Sequence, residues 1–299
     1  MGSKKVIVRV FGGIGNQLFC YAAARRLAYV NNAELVIDNV SGFAYDKKYR
    51  RIYQLDHFHI QARKATPAER FEPFSRIRRF VIKRVNRFLP FEKRKYICEE
   101  TLGFDPRLLN LKVNGTIYLE GYWQSEKYFK DIEPVIREDL RIKPPPDRMN
   151  QEMAKRIREC LAVAIHIRFF DKPGEKSENN LPPSYYKNAI DYMESHLQNP
   201  HYFIFSDYPE SARELIPLPD SRITLITHNK GEENAYADLW LMTQCKHFII
   251  ANSTFSWWGA WLGNNKEKIV IAPKMKKMGI RAWGFDGLLP EEWILLQVS

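Results

Sequence analysis

The stretch KVIVRVFGGIGNQLFCYAAARRLAYVNNAELVID, residues 5–38, carries the reading of the fold. Residues 5–10 are valine-rich and alternate only weakly, as a buried strand does. Gly12, Gly13 and Gly15 turn the chain, 16–31 reads as a helix, and 33–38 is a second strand. A β-α-β opening of this kind builds parallel sheets. The turn matches neither the dinucleotide fingerprint nor the Walker loop: G-x-x-N stands in place of G-x-G-x-x-G, and no G-K-[ST] follows. Its glycines still let backbone approach a ligand, and the helix N-terminus beyond them favours an anion. Asn16 and Gln17 sit where helix caps sit, and capping is their ordinary reading.

The alternation restarts after RIKPPPDRMN, residues 141–150. Three successive prolines stop helix and strand alike and favour an extended connection, so the domain boundary is expected there, giving 1–145 and 146–299. Residues 115–129 supply a strand, an aromatic loop and the start of a helix. Beyond the prolines, strands are predicted at 161–167, 201–206, 222–227, 247–251 and 269–272, with helices at 183–198, 235–245 and 255–262. The predicted architecture is α/β, two Rossmann-like domains facing a cleft, with ligands at the carboxyl ends of the strands.

Composition bounds the rest. The chain has 299 residues, 45% hydrophobic and 13% aromatic, enough for packed cores and against general disorder. Cys20, Cys98, Cys160 and Cys245 are far apart and form no C-x-x-C pair, so a reducing cytoplasm is the expected home. The apolar run after Lys4 and Lys5 is too short for a signal peptide, and no stretch approaches a membrane span. The net charge of +11 is concentrated: residues 63–95 hold twelve Lys/Arg against three acids. Phe71, Phe74, Ile77, Phe80, Val81, Val85, Phe88 and Leu89 recur there at near-helical spacing, which predicts a basic amphipathic helix or helix pair. Three readings stand: an apolar stripe packed on the domain under a solvated basic face, an anionic membrane surface, or nucleic acid. No nucleic-acid motif accompanies the charge.

AVAIHIRFFDKPGE puts His166 and Arg168 at the carboxyl end of a predicted buried strand, on one face because side chains alternate. An arginine there is expensive unless it meets an anion, and its fork suits phosphate oxygens; the alternative is an ion pair with an acid such as Asp207. Asp171 and Glu175 lie in the following loop, where a general base would be wanted, though either also reads as a solvated carboxylate. DLWLMTQCKHFIIANSTFSWWGAWLG runs helix, strand, then Asn252, Ser253 and Thr254 at a second helix start. Hydroxyls and backbone N–H groups at such a turn make a phosphate nest, with plain N-capping as the alternative. Trp257, Trp258 and Trp261 share one helical side and read as core. The histidines are scattered, and neither D-x-D nor a helical H-E-x-x-H occurs, so no metal site is predicted.

These stretches together resemble the alpha-1,2-fucosyltransferase family over most of the chain. The residues that carry the likeness are GGIGNQLFCYAAARRLA, LEGYWQSEKYF, HIR followed by LPPSYYKNAI, FIFSD at 203–207, and LMTQCKHFIIANSTFSWWGAWLG with IAP after it. The resemblance implies a GT-B fold and a metal-free, inverting transfer of L-fucose from GDP-fucose, a donor substrate with no further cofactor, to the 2-hydroxyl of a terminal galactose in a surface glycan. It implies that Arg168 holds the donor pyrophosphate, that His166 lies near the guanine, and that Asp238 reads guanine N–H groups. Ser253, Thr254 and Phe255 would line the phosphates, and Asn16 with the turn from Gly13 to Gly15 would face fucose and acceptor. One departure stands out: HIRFFD replaces the usual H-x-R-R-G-D, with Phe169 and Phe170 where arginine and glycine are expected. Asp171 keeps the aspartate position. A GDP-fucose transferase of another linkage and an inactive sugar-nucleotide or glycan-binding module remain alternatives.

Overall fold

The computed structural model describes residues 4–47, 49–175, 179–275 and 283–298. The chain divides into two compact units, Met1–Arg141 with Asp286–Leu288, and Ile142–Phe285 with Leu289–Ser299.

The first unit is built on β1 (Lys5–Arg9), α1 (Ile14–Val30), β2 (Glu34–Asp38), β3 (Arg63–Lys64), α2 (Ser75–Asn86), β4 (Tyr96–Cys98), β5 (Thr116–Glu120) and α3 (Glu133–Asp139). Its sheet is ordered β3-β2-β1-β5-β4 with every pairing parallel. The β-α-β opening lies within a residue or two of its predicted limits. Val6 and Val8 at the sheet centre are wholly buried, and α1 is buried along Leu18–Ala24 because its alanines let a nearly apolar cylinder lie close to the strands. Helix capping by Asn16 or Gln17 is not found. The N-cap of α1 is Gly13, with extended backbone and no side-chain cap.

The second unit comprises α4 (Arg148–Arg158), β6 (Ala162–Ile167), α5 (Pro183–His196), β7 (His201–Ser206), α6 (Pro209–Glu214), β8 (Ile223–Leu225), α7 (Ala235–Thr243), β9 (His247–Ile249), α8 (Thr254–Leu262), β10 (Val270–Lys274) and β11 (Ile294–Gln297). The order β11-β10-β9-β6-β7-β8, again all parallel, is that of a doubly wound nucleotide-binding sheet. All six residues of β6 are buried. Val163, Ile165 and Ile167 pack against Tyr186, Ile190 and Met193 of α5. Trp257, Trp258 and Trp261 are core, with Trp257 and Trp258 wholly buried. Gly259 sets the spacing of α7 and α8, since a Cβ there would lie 2.2 Å from the Met242 sulfur.

Three expectations need correction. The helix over 63–95 is only α2, preceded by the two-residue edge strand β3. The proline connection ends earlier than drawn, because Asp147 accepts the backbone N–H of Asn150 and starts α4 at Arg148. The apolar stripe of α2 does not pack on the domain: Phe74, Ile77, Phe80 and Phe88 are 63–83% exposed.

Candidate functional site

In a doubly wound sheet, the crevice for a ligand opens where neighbouring strands send their connections in opposite directions. In the second unit that point lies between β6 and β9, whose register pairs Ile165 with Ile249. The loops leaving these two strands carry HIRFFD and ANSTF.

His166 is 6% exposed, and its Nδ1 lies 2.8 Å from the Ser256 Oγ in the first turn of α8. Ser256 has one hydroxyl proton, which it donates to the Ser253 carbonyl at 3.3 Å. The Ser256 hydroxyl thus lies between the His166 ring and the Ser253 carbonyl and fixes the ring's orientation. Burial, helped by the positive charge of Arg168, pushes the His166 pKa down to about 3, so the ring is neutral at physiological pH. Phe255 lies against the same ring, centroids 5.2 Å apart. Ser253 is the N-cap of α8 and accepts the Phe255 N–H at 3.3 Å, while Thr254 opens the helix. The capping role foreseen for Ser253 is thus present, and the first turn of α8 lies beside His166 through Phe255 and Ser256.

Arg168 follows β6. The register sets Ile167 beside Ser206, so Asp207 emerges next to Arg168, and the two form an ion pair of 2.9 Å. Both side chains stay nearly a third exposed. The guanidinium also lies over the Phe170 ring at 5.7 Å. Phe169 turns away, edge-on to Tyr208 and packed against the α5 core. Asn180 pins this loop: its Oδ1 accepts the Phe170 N–H at 2.7 Å and its Nδ2 donates to the Asp171 carbonyl. Asn179 donates to the Asp171 carboxylate at 3.2 Å, and Asn252 donates to the Asn179 carbonyl at 3.0 Å, tying the β6 loop to the β9 loop. Glu175 lies farther along the same loop and is exposed.

Asp238 sits in the first turn of α7 within a separate amide network. Asn229 donates to its carboxylate at 2.8 Å, and Asn229 and Asn150 bond to each other through both amide groups. The carboxyl is packed deeply enough that burial pushes its pKa up to about 7, against the smaller opposing effect of Asn229. A half-buried carboxyl that accepts one amide N–H has acceptor capacity left for an incoming N–H donor.

In the first unit the corresponding strand end is that of β1, which β2 and β5 flank. Gly12 takes a positive φ of 78° there, which a side chain would resist. Asn16 accepts from the Gln124 amide at 2.9 Å and hydrogen-bonds the Tyr122 phenol, and Tyr122 lies on Phe11 with centroids 4.4 Å apart. Gln17 is fully buried; its amide donates to the carbonyls of Gly12 and Ile52, and its oxygen accepts the Gln54 N–H. Gly13 and Gly15 flank this turn. A Cβ on Gly13 would meet only the Arg51 guanidinium, at an ordinary 3.7 Å. Its side-chain-free surface is therefore not demanded by the protein's own packing.

The structure thus gathers His166, Ser253, Thr254 and Phe255 at one point, sets Arg168 and Asp171 in the adjoining loop, and keeps Asp238 in its own network and Glu175 apart. Gly13, Gly15 and Asn16 belong to the other unit. Sequence reading missed Ser256, Asn180, Asn229 and Tyr122. Ser256 was findable, three residues past a cap in a motif already singled out; Tyr122 acts across a long sequence separation, Asn229 also reaches Asn150 far back in the chain, and Asn180 pins its loop from nine and ten residues away. Among the described residues, no group of three or more His, Cys, Asp or Glu side chains could hold a metal ion, and no helix is long and apolar enough to cross a membrane.

Two parallel Rossmann-type sheets are the architecture of GT-B glycosyltransferases, and comparison with known proteins supplies the class. The chain belongs to glycosyl transferase family 11, whose model matches residues 5–295. An alpha-1,2-colitosyltransferase of Escherichia coli is 28% identical over 98% of this chain and 99% of that protein. The O-antigen biosynthesis glycosyltransferase WbnK of Escherichia coli is 29% identical over 88% of this chain and 92% of its own. Among solved structures, the fucosyltransferase NodZ from Bradyrhizobium aligns with a TM-score of 0.50 at 13% identity, covering 87% of this chain and 93% of that one. An Arabidopsis thaliana FUT1 variant in complex with GDP aligns at 0.51 and 13%, covering 90% and 70%. At such identities these two structures speak to the fold alone.

Proposed function

We propose that this glycosyltransferase moves a 6-deoxyhexose, L-fucose first, from its GDP-linked donor to the 2-hydroxyl of a terminal galactose, with inversion, in the assembly of an O-antigen or similar surface glycan. The observation that carries the reading is the switch point between β6 and β9, where Arg168 and the α8 N-terminus offer positive charge beside a neutral His166. In this reading the acceptor hydroxyl attacks the anomeric carbon as its bond to the diphosphate oxygen breaks, and the charge gathering on GDP is met by Arg168 and the α8 amides. Arg168 keeps N–H donors beyond those facing Asp207, so the ion pair holds the guanidinium ready without consuming it. Ser253, Thr254 and Phe255 line the phosphates, the neutral His166 ring lies near the guanine, and the Asp238 carboxylate accepts the guanine N–H donors. Asn16 and the turn from Gly13 to Gly15 hold sugar hydroxyls through amide and backbone groups.

The proton leaving the acceptor goes to Asp171 or Glu175, both in the loop after β6. General-base help is worth about 10²–10⁴-fold, so Asp171→Asn and Glu175→Gln, made separately, decide between them; losses below about tenfold in both overturn the assignment. No metal is required, since the charge on the leaving group is covered by Arg168 and α8. The acceptor would be met at the cytoplasmic membrane face.

A colitose donor is the second reading, favoured by the likeness to a colitosyltransferase along nearly the whole chain. Colitose is L-fucose without its 3-hydroxyl. GDP release from GDP-fucose and GDP-colitose, measured in EDTA with a panel of β-galactosides and followed by product linkage, tests both. Acceptor-stimulated release with an α-1,2 product supports the proposal and names the sugar. Release with neither donor across the panel overturns it.

A further inference from the structure

Helix α2 is inside out. Its inward side chains are charged or polar: Arg79 is buried and pairs with Asp38 at 3.7 Å, Lys83 reaches Glu120 at 2.7 Å, and the Asn86 Oδ1 accepts the Lys95 N–H at 3.0 Å. Only Ile82 of its inner face joins the apolar cluster on the sheet. The opposite face carries Phe74, Ile77, Phe80, Val81, Val85 and Phe88, exposed by 70, 63, 66, 52, 56 and 83%. At about 100° per residue, positions 74, 77, 81, 85 and 88 fall in one stripe with Phe80 on its flank. Charged anchors fix this helix to the domain, so the orientation is set by ion pairs and the stripe is left facing water. Arg78 and Arg84 are exposed on the two flanks of the stripe, Arg76 and Arg87 are exposed farther round the helix, and no Asp or Glu occurs between Ser75 and Pro90.

We infer that α2 is a membrane-docking helix whose stripe seats at the headgroup boundary of an anionic bilayer while the arginines around it, Arg78 and Arg84 foremost, meet lipid phosphates. An exposed apolar stripe bordered only by cations is the composition of an interfacial helix, and arginine stems lie along apolar surface while their heads stay in the polar layer. A second copy is the poorer occupant: a two-fold contact through this face would set arginine against arginine with no acid to relieve it. The inference goes beyond the donor reading and does not depend on it.

Flotation of the full chain with vesicles of phosphatidylcholine, with and without phosphatidylglycerol, tests it. Transfer to a soluble galactoside is followed in parallel. The wild type is expected to float with the anionic vesicles only, and less at high salt. Phe80→Ser, Val85→Ser and Phe88→Ser combined should lower partition by at least about tenfold. In the combined Arg78→Gln, Arg84→Gln and Arg87→Gln variant each lost charge should lower it about fivefold. All these side chains are exposed and outside the proposed sugar site, so transfer to the soluble acceptor should change by less than about twofold. Absence of flotation on anionic vesicles, or flotation unchanged in both variants, overturns the inference. So does a wild-type dimer in sedimentation that the apolar variant abolishes, which would make the stripe a self-association surface. Flotation without any sugar transfer would break the donor reading and leave this one standing.

Discussion

In both sheets the first strand of the unit lies inside, β1 between β2 and β5 and β6 between β7 and β9, yet the residues at the two strand ends differ in kind. Between β6 and β9 stand Arg168, Asp207 and the start of α8 around a neutral His166. Between β1 and β5 stand Asn16, Gln124, Tyr122 and Phe11, amides and aromatic rings, with Arg51 beside Gly13 and Arg9 over the Phe11 ring. The fold supplies a crevice in each case, and the side chains decide what it takes. Charge and helix amides suit a diphosphate; amides with aromatic faces suit a sugar, whose hydroxyls need paired donors and acceptors and whose C–H faces lie on rings.

The sharpest way to break this contrast is Arg168→Ala. Removing one preorganised donor from a developing oxyanion lowers turnover by about 10²–10³-fold, and steady-state GDP release reads it directly. Arg168→Lys should recover only part, since a point charge does not reproduce the fork.

Asp238→Asn comes next. Charge-assisted hydrogen bonds contribute about 1.5–3 kcal/mol, so GDP affinity by calorimetry should fall between about tenfold and a hundredfold. The pH dependence sharpens the case. The folded carboxyl titrates at about 7 against its ordinary 3.8, and guanine N–H groups need the ionised form. GDP should therefore bind more tightly as pH rises through about 7, and the dependence should vanish in Asp238→Asn. Stability runs the other way: a raised acid favours the folded state at low pH, so its contribution is complete below pH 4 and lost as pH climbs to about 7. Thermal melts of wild type and variant across that window check the sign.

Gly259→Ala probes the scaffold that holds α8 in place. Its Cβ would meet Met242 at 2.2 Å, and overpacking of this kind destabilises by about 1–3 kcal/mol. A lowered melting temperature with weakened GDP binding is expected. The smallest effect belongs to Asn16→Ala, which should raise the acceptor KM by about fivefold, the loss of one net hydrogen bond of about 1 kcal/mol, and leave GDP affinity unchanged.

Much of this architecture was legible because parallel sheets bury whole strands, and KVIVR and AVAIHI show that in their composition. The edge elements were not: β3 and β4 are two and three residues long, and β11 is a short ILLQ run. Helix α4 was hidden because its first turn overlaps the proline connection. Periodicity revealed the apolar stripe of α2 but not its direction, which is set by Asp38 and Glu120 from β2 and β5. At the site, Arg168 and Ser253 could be picked out from strand-end position. The pairing of Arg168 with Asp207 was named only as an alternative, since it depends on the register of β6 and β7, which no local pattern encodes. Asn180 and Asn229, amides in loops, carry no local signal at all.

The contrast between the two crevices is tested most directly by titrating GDP into the wild type, Arg168→Ala and Asn16→Ala under one buffer. Expected is a loss of at least about tenfold in affinity for Arg168→Ala alone, with Asn16→Ala binding as the wild type does. Equal losses in both variants, or an unchanged affinity in Arg168→Ala, would contradict the assignment of the nucleotide to the charged crevice.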